Sequence, residues 1–424
     1  MEIFNSLVHI ISAVFTNLVF GVSMYYLILS FFGLIRFKEK KEFSPKKSFA
    51  FIVAAHNEEM VIEDIINSLH MVDYPKDLYD IFVIADNCTD NTALKARESG
   101  ALVFERVNKT ERGKGYALEW MFDKIFKMER KYDAVVVLDA DNLVSKNFLK
   151  VMNNKLCNGY KVVQGYLDSK NPMDTWITGS YSIAFWTSNR MFQLSRSNLG
   201  LSNQLGGTGF CIDTNVLKDL GWGATCLTED LEFTCKLVLN DCKVGWAHEA
   251  IIYDEKPLTL VQSWAQRRRW MQGFADVASR YFFRLMKKAI KEFNVVALDC
   301  ALYSIQPIVI ILLGVAMILN AMNYFLMAPE LITKAITMMQ TANFTMFKAG
   351  AVLLIAMQFI YTPFILILDN KLSFKIFLYY LIYPIYAITW MPISIQGILN
   401  KDKKEWSHTL HTRSIKITDL EEAK

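Results

Sequence analysis

Two aspartates one residue apart, Asp139 and Asp141, follow directly on the apolar run Val135-Val136-Val137-Leu138. Paired carboxylates at the end of a strand can hold a hard divalent cation and the diphosphate it carries, because Mg²⁺ takes carboxylate, water and phosphate oxygens. An Asp-x-Asp alone reads equally well as a surface loop, so its weight comes from its position and its company. That company includes Asp86, in Ile84-Ala85-Asp86-Asn87-Cys88-Thr89-Asp90, and Leu227-Thr228-Glu229-Asp230 at the start of a predicted helix. The second acidic pair reads either as acidic residues at a helix N-terminus or as a site in which Asp230 is a general base for a hydroxyl; spacing leaves both open. Gln266-Arg267-Arg268-Arg269-Trp270 adds guanidinium forks that suit diphosphate oxygens and an indole that suits the face of a sugar ring. Its alternative reading is a basic cluster on anionic lipid.

The elements that must position these residues alternate in type. Ser48–Ala55, Tyr79–Ala85, Leu102–Arg106 and Ala134–Leu138 read as strands; Met60–His70, Asn91–Ser99 and Tyr116–Arg130 read as helices. This alternation predicts an α/β fold with a mainly parallel sheet covered on both faces. Ligands in such sheets bind beyond the carboxyl ends of the strands, which picks out Ala55-His56-Asn57-Glu58, Asp86-Asn87 and Asp139-Ala140-Asp141. After about residue 165 the pattern reads as helical, over Thr175–Ser197, Thr228–Asn240 and Leu258 to about Phe293. The last stretch mixes Trp264, Trp270, Phe274 and Tyr281 with Arg267, Arg268, Arg269, Arg280 and Arg284. It reads as a helix in a membrane interface, or otherwise as an amphipathic surface helix.

The 424 residues are 53% hydrophobic, high for a soluble enzyme, with a net charge of +4. Ile3 to Ile35, Cys300 to Met327, Ala349 to Leu368 and Ile376 to Asn400 carry no Asp, Glu, Lys or Arg, and about 20 apolar residues suffice to cross a bilayer core. The first run reads as a membrane helix and not a cleaved leader, since it lacks a basic start and a small-residue cleavage site. Arg36, Lys38, Lys40, Lys41, Lys46 and Lys47 follow it and place the soluble block in the cytoplasm. The seven cysteines include no Cys-x-x-Cys pair and read as buried small hydrophobes in a reducing compartment.

In order along the chain, Ala54-Ala55-His56-Asn57-Glu58-Glu59, Asp86, Asp139-x-Asp141, Thr228-Glu229-Asp230 and Gln266-x-x-Arg269-Trp270 resemble the motifs of processive family-2 glycosyltransferases, the cellulose, chitin and hyaluronan synthase group, and of bacterial cellulose synthase in particular. The resemblance covers about residues 48–413. It implies a GT-A domain set between membrane helices: a first helix over 1–35, the catalytic domain over 36–257, interfacial helices over 258–296, transmembrane or interfacial helices over 297–400, and a cytoplasmic tail over 401–424. It further implies that Ala55, His56, Glu58 and Asp86 bind the nucleotide. Arg112, Gly113 and Lys114 would lie near the diphosphate, Asp139 and Asp141 would hold the donor with Mg²⁺ or Mn²⁺, and Arg269 would meet the diphosphate. Glu229 and Asp230 would be catalytic, with Asp230 the base. Gly207, Thr208, Gly209 and Phe210, with Gln266 and Trp270, would bind the acceptor, and Trp406, Thr409, His411, Thr412 and Arg413 would form a gating loop.

The implied reaction is inverting and processive, from a UDP-sugar, glucose by preference, to a β-linked polymer exported through the plasma membrane. Its partners would be the donor, the growing polysaccharide, membrane lipid, and a second copy or accessory subunit to complete the channel; nucleic acid is not among them. Two departures stand out. No cyclic-di-GMP motif follows Arg413. Three crossings after a cytoplasmic domain would also strand residues 406–413 outside, so Ile376–Asn400, with Pro384 and Pro392, is expected to lie along the interface or re-enter. An N-acetylglucosamine polymer and single-sugar transfer to a lipid carrier remain alternatives within the enzyme class. A transporter with a nucleotide-sensing domain is disfavoured, because the chain lacks a Gly-x-x-x-x-Gly-Lys-Ser/Thr loop and charged residues within the apolar runs.

Overall fold

The computed structural model describes residues 2–37, 42–316, 318, 359–403 and 414–422. After an N-terminal helix, α1 (Glu2–Phe31), the apolar runs become parallel strands: β1 (Phe49–Ala55), β2 (Tyr79–Asp86), β3 (Leu102–Arg106) and β4 (Ala134–Asp139), in the order β3-β2-β1-β4. The connecting helices are α2 (Ile62–His70), α3 (Thr92–Glu98) and α4 (Lys114–Lys127). Side chains alternate across a strand, so β1 feeds two cores. Phe49, Phe51 and Val53 pack with Ile62, Ile65 and Ile66 of α2, while Ala50 and Ile52 share a core with Leu118, Met121 and Phe122 of α4.

The second half extends the sheet with mixed polarity. It comprises β5 (Leu143–Val144), α5 (Phe148–Cys157), β6 (Val162–Ser169), α6 (Trp176–Ser188), α7 (Ser195–Asn198), β7 (Phe210–Asp213), α8 (Thr214–Leu220), α9 (Glu229–Leu239) and β8 (Val244–Asp254). The full order is β3-β2-β1-β4-β7-β6-β8-β5. β7 runs antiparallel to β4 and β6, β5 runs antiparallel to β8, and β6 pairs parallel with β8. The expectation of an all-helical region after residue 165 therefore fails at β7 and β8. β7 has only four residues and β8 carries His248-Glu249 in its middle, too little regular alternation to stand out. The helix expected over Thr175–Ser197 is also interrupted, by a π-helical segment at Asn189–Leu194.

The C-terminal part is helical: α10 (Leu260–Glu292), α11 (Val295–Ser304), α12 (Gln306–Ala316), α13 (Phe359–Leu368), α14 (Phe374–Ile388), α15 (Trp390–Leu399) and α16 (Ile417–Glu422). Among the described residues one helix, Phe374–Leu399, is long and apolar enough to cross a membrane, and α11 with α12 would pass only as a pair bent by 67°. Parts of the runs Cys300–Met327 and Ala349–Leu368 lie outside the described residues.

The α14–α15 stretch packs along α10. The Tyr386 hydroxyl and Ser263 Oγ are 3.0 Å apart, Arg267 donates to Thr389 Oγ1 (2.8 Å), Trp264 donates to Gln396 Oε1 (2.9 Å) and Gln272 donates to the Asn400 carbonyl (3.1 Å). Its other face leaves Phe374, Leu381, Ile385 and Ile388 exposed. These contacts run from the middle of the stretch to its C-terminal end, and the face turned away from them is apolar. They also correct the reading of Arg267 as part of a phosphate- or lipid-facing cluster: it is fully buried, with its guanidinium 4.1 Å from the Tyr386 ring and 4.9 Å from the Trp390 ring.

Ion pairs fasten the helices to the α/β half. Arg190 pairs with Asp369 and Lys371 with Asp168 at the α13–α14 turn, where His248, whose pKa burial lowers, also hydrogen-bonds Asp369. Packing adds a tighter constraint at Gly179, where an added Cβ would run into the Tyr379 ring. Gly179→Val should lower stability by about 1–3 kcal/mol, the range for overpacking, and thermal unfolding measures it; an unchanged midpoint would mean that α14 does not seat on α6.

Candidate active site

The polar ends of β1, β2 and β4 open into a cavity of about 1550 Å³. Ala55, His56, Glu58, Asp86, Arg112, Lys114, Asp139 and Asp141 line it, as do Gly207, Thr208, Glu229, Asp230, Gln266, Arg269 and Trp270. The structure does not bring Gly209 or Phe210 to its wall. Gly209 hands its N–H to the Val137 carbonyl, and Phe210 is buried in the sheet, stacked on Trp222. The expected gating-loop residues Trp406, Thr409, His411, Thr412 and Arg413 lie outside the described residues.

At the β1–β2 end, His56 Nδ1 lies 2.6 Å from the Asp86 carbonyl; a carbonyl can only accept, so this nitrogen carries the proton. Asp86 forms a buried ion pair with Arg106 at 2.7 Å. Motif reading missed Arg106, although the parallel register sets it directly beside Asp86 at the neighbouring strand end. α4 begins on the cavity wall with Gly113 at φ 117° and no side chain capping its N-terminus. Its first N–H groups and the helix dipole therefore offer an anion site.

Lys114 is the hub of the charged part. Its ammonium pairs with Asp139, donates to the Gly207 carbonyl (2.6 Å) and lies 3.9 Å from Glu229. Burial opposes its charge, but Asp139 and Glu229 outweigh burial and raise its pKa. Gly207 has φ 79°, a conformation that favours glycine, and a side chain there would come within 3.7 Å of Asp230 Oδ2. Glu229 and Asp230 open α9 without a side-chain cap from Thr228. Asp230 Oδ1 accepts the Leu231 N–H at 2.8 Å. Burial is the largest cause raising the pKa of both carboxyls; repulsion from Asp230 adds to it at Glu229, and repulsion from Asp139 adds to it at Asp230.

No group of three or more His, Cys, Asp or Glu side chains is arranged to hold a metal among the described residues. Asp139 and Asp141 both line the cavity, with Asp139 paired to the Lys114 ammonium, and Mg²⁺ can be bound by one or two carboxylates with phosphate oxygens and water. Further along, Trp270 meets Tyr181 edge-on at 5.9 Å and Phe185 at 6.1 Å, and the Tyr181 hydroxyl donates to Gln266 Oε1. Tyr181 and Phe185 come from α6, more than 80 residues away in sequence, and nothing in their local spacing marks them.

The mainly parallel α/β sheet, with acidic strand ends and a helix start open to the same cavity, has the plan of a GT-A-like fold. Comparison with known proteins gives the family: residues 45–273, over half the chain, match glycosyltransferase like family 2, and the chain is a glycosyltransferase of that family. It is 28% identical over 248 residues to the poly-β-1,6-N-acetyl-D-glucosamine synthase of Staphylococcus aureus, covering 57% of this chain and 58% of that protein. It is also 28% identical over 243 residues to the β-monoglucosyldiacylglycerol synthase of Synechocystis, covering 54% and 48%. The matched region thus spans about half of these relatives' length. In fold, the chain resembles the mannosyltransferase PcManGT from Pyrobaculum calidifontis, solved with GDP-Man and Mn²⁺, at a TM-score of 0.54 and 16% identity, covering 92% of this chain and 97% of that one.

Proposed function

We propose that the protein is a membrane-attached, UDP-sugar-dependent synthase of a β-linked polysaccharide, with its catalytic domain on the cytoplasmic side. The observation that supports it most is the cavity joining the strand-end carboxylates and the α4 N-terminus to Glu229-Asp230 and the Trp270 and Phe185 rings, which Tyr181 backs. A donor diphosphate and an acceptor sugar ring each have a chemically suitable wall, with Asp230 between them.

In this reading His56, Glu58 and Asp86 hold the nucleotide; Arg112, Lys114, Arg269 and the α4 N–H groups hold the diphosphate. Asp230 takes the proton from the acceptor hydroxyl, and that oxygen bonds to the anomeric carbon from the face opposite UDP. The bond from that carbon to the diphosphate oxygen breaks, its electron pair leaves with UDP, and the linkage inverts from α to β. A divalent cation held by Asp139 and Asp141 would supply charge neutralisation to the departing diphosphate. Trp270 and Gln266 hold the chain end for the next addition. For the donor, the identity to a poly-N-acetylglucosamine synthase brings UDP-N-acetylglucosamine level with UDP-glucose.

The test is UDP release by the protein in lipid nanodiscs with Mg²⁺ or Mn²⁺, with each donor supplied separately. The expected product is a polymer that cellulase, chitinase or a β-1,6-specific hexosaminidase degrades; a product carrying one added sugar would contradict polymer synthesis. The pH dependence follows from the base. Burial pushes the Asp230 carboxyl up to about 6, so kcat/KM should stand at half its plateau there, approach the plateau about a pH unit above, and fall about tenfold per pH unit well below it. An acid limb starting near pH 4, the range of an ordinary aspartate, would remove Asp230 from the role.

A further inference from the structure

The rule that marks the ends of β1, β2 and β4 applies again in the far half of the sheet. β7 is antiparallel to both β4 and β6, and β8 is parallel to β6, so β6 and β8 point the same way as β4. Their carboxyl ends therefore fall on the ligand side. β8 ends there in Asp254, a carboxylate on the cavity wall to which the proposed reaction gives no role.

Lys256 is 2% exposed, and its ammonium lies 2.6 Å from Asp254 Oδ1 and 2.9 Å from Oδ2. The same ammonium stands 3.5 Å from the centre of the Phe185 ring, which shares the cavity wall with Trp270. Asn171 clamps the Lys256 main chain, accepting its N–H at 2.8 Å and donating to its carbonyl at 2.9 Å. Asp254 keeps 19% of its side chain open, against 1% for Lys256. A buried ion pair contributes little stability by itself; this one fixes a carboxylate beside an aromatic ring. A sugar ring fits that pair of groups, with its C–H face on the aromatic ring and its rim carrying donors for an acceptor-only carboxylate.

We propose that Asp254, fixed by Lys256, binds the acceptor: its carboxylate accepts a hydrogen bond from a hydroxyl or acetamido N–H on the rim of the sugar held at Trp270 and Phe185. This rests on the reading of Trp270 as part of the acceptor wall. The site then selects acceptor sugars that carry a donor at that position.

The test measures Kd for the methyl β-glycosides of glucose and of N-acetylglucosamine, and for their single-deoxy forms. It uses the full-length protein in nanodiscs with UDP bound, at pH 8, where a carboxyl that burial pushes up to about 6 is ionised. Asp254→Asn should weaken binding of the better glycoside about tenfold, as expected for loss of a hydrogen bond to a charged group, with the Kd for UDP within about threefold. One deoxy form should bind wild type about tenfold more weakly and lose nothing further on Asp254→Asn, since the partner is already gone. Asp254→Leu with Lys256→Met replaces the pair by apolar side chains, a change that is often neutral for stability. It should keep the thermal midpoint and still bind the glycoside about tenfold more weakly, whereas a merely structural pair would be rescued. Wild-type affinity in that double variant, or deoxy losses that add to Asp254→Asn at every position, would overturn the proposal. Trp270→Ala separates the two readings: a loss of affinity there, with both Asp254 variants at wild-type affinity, would overturn the role of Asp254 alone. No loss at Trp270→Ala would overturn the acceptor wall and this proposal with it.

Discussion

Asp230→Asn should lower kcat by about 10²–10⁴-fold, the range for loss of a positioned general base, while the Kd for the UDP-sugar stays within about threefold. The substitution is nearly isosteric and keeps the Oδ1 that accepts the Leu231 N–H, so the start of α9 should hold its shape. What it removes is the oxygen facing Gly207, with the negative charge that takes up the proton. The neighbouring Glu229 stays 3.9 Å from the Lys114 ammonium, so the diphosphate side of the cavity is little changed. Single-turnover kinetics and donor titration together check this. A loss of donor affinity with kcat unchanged would move Asp230 from catalysis to binding and leave Glu229 as the carboxylate to test.

The largest effect on stability should come from Asp299→Ala. Asp299 and Arg196 are each 1% exposed and joined by two hydrogen bonds, at 2.7 and 3.1 Å. The Tyr25 hydroxyl of α1 donates to the same carboxylate at 2.6 Å. Three distant segments, α1, α7 and α11, thus meet at one carboxylate. Without it the guanidinium stays buried with the Tyr303 ring at 5.4 Å, and breaking such a pair costs about 3–5 kcal/mol. The thermal midpoint should fall by roughly 5–10 °C. Arg196→Met with Asp299→Leu and Tyr25→Phe should recover most of the loss, because an apolar replacement of a buried pair is often neutral. A single Asp299→Ala variant as stable as wild type would show that α1 and α11 dock without this contact.

Much of the catalytic half is legible from sequence because its logic is local. A strand buried on both faces needs an unbroken apolar run, and Val135–Leu138 supplies one; the residues after it are then forced to the strand end, where Asp139 and Asp141 stand. The same holds for His56 after β1 and Asp86 at the end of β2. What escapes is fixed by pairing across the chain. Arg106 meets Asp86 through strand register, Lys114 meets Asp139 and Glu229 through the entry angle of α4, and Tyr181 reaches Trp270 through helix packing. Arg267 misled for a related reason: its neighbours in sequence are basic, but its place on α10 turns it inward onto Tyr386. Composition showed that Ile376–Asn400 was apolar, but only the contacts at Tyr386, Gln396 and Asn400 show it packed along α10.

The central claim is a single displacement at the anomeric carbon with Asp230 opposite UDP, and the anomeric configuration of the product tests it most directly. With a UDP-sugar labelled with ¹³C at C1, the one-bond C–H coupling of the new linkage reads its configuration by NMR. The account predicts a β linkage from the α-linked donor. An α linkage would mean retention, and would contradict both the direct attack and the role given to Asp230.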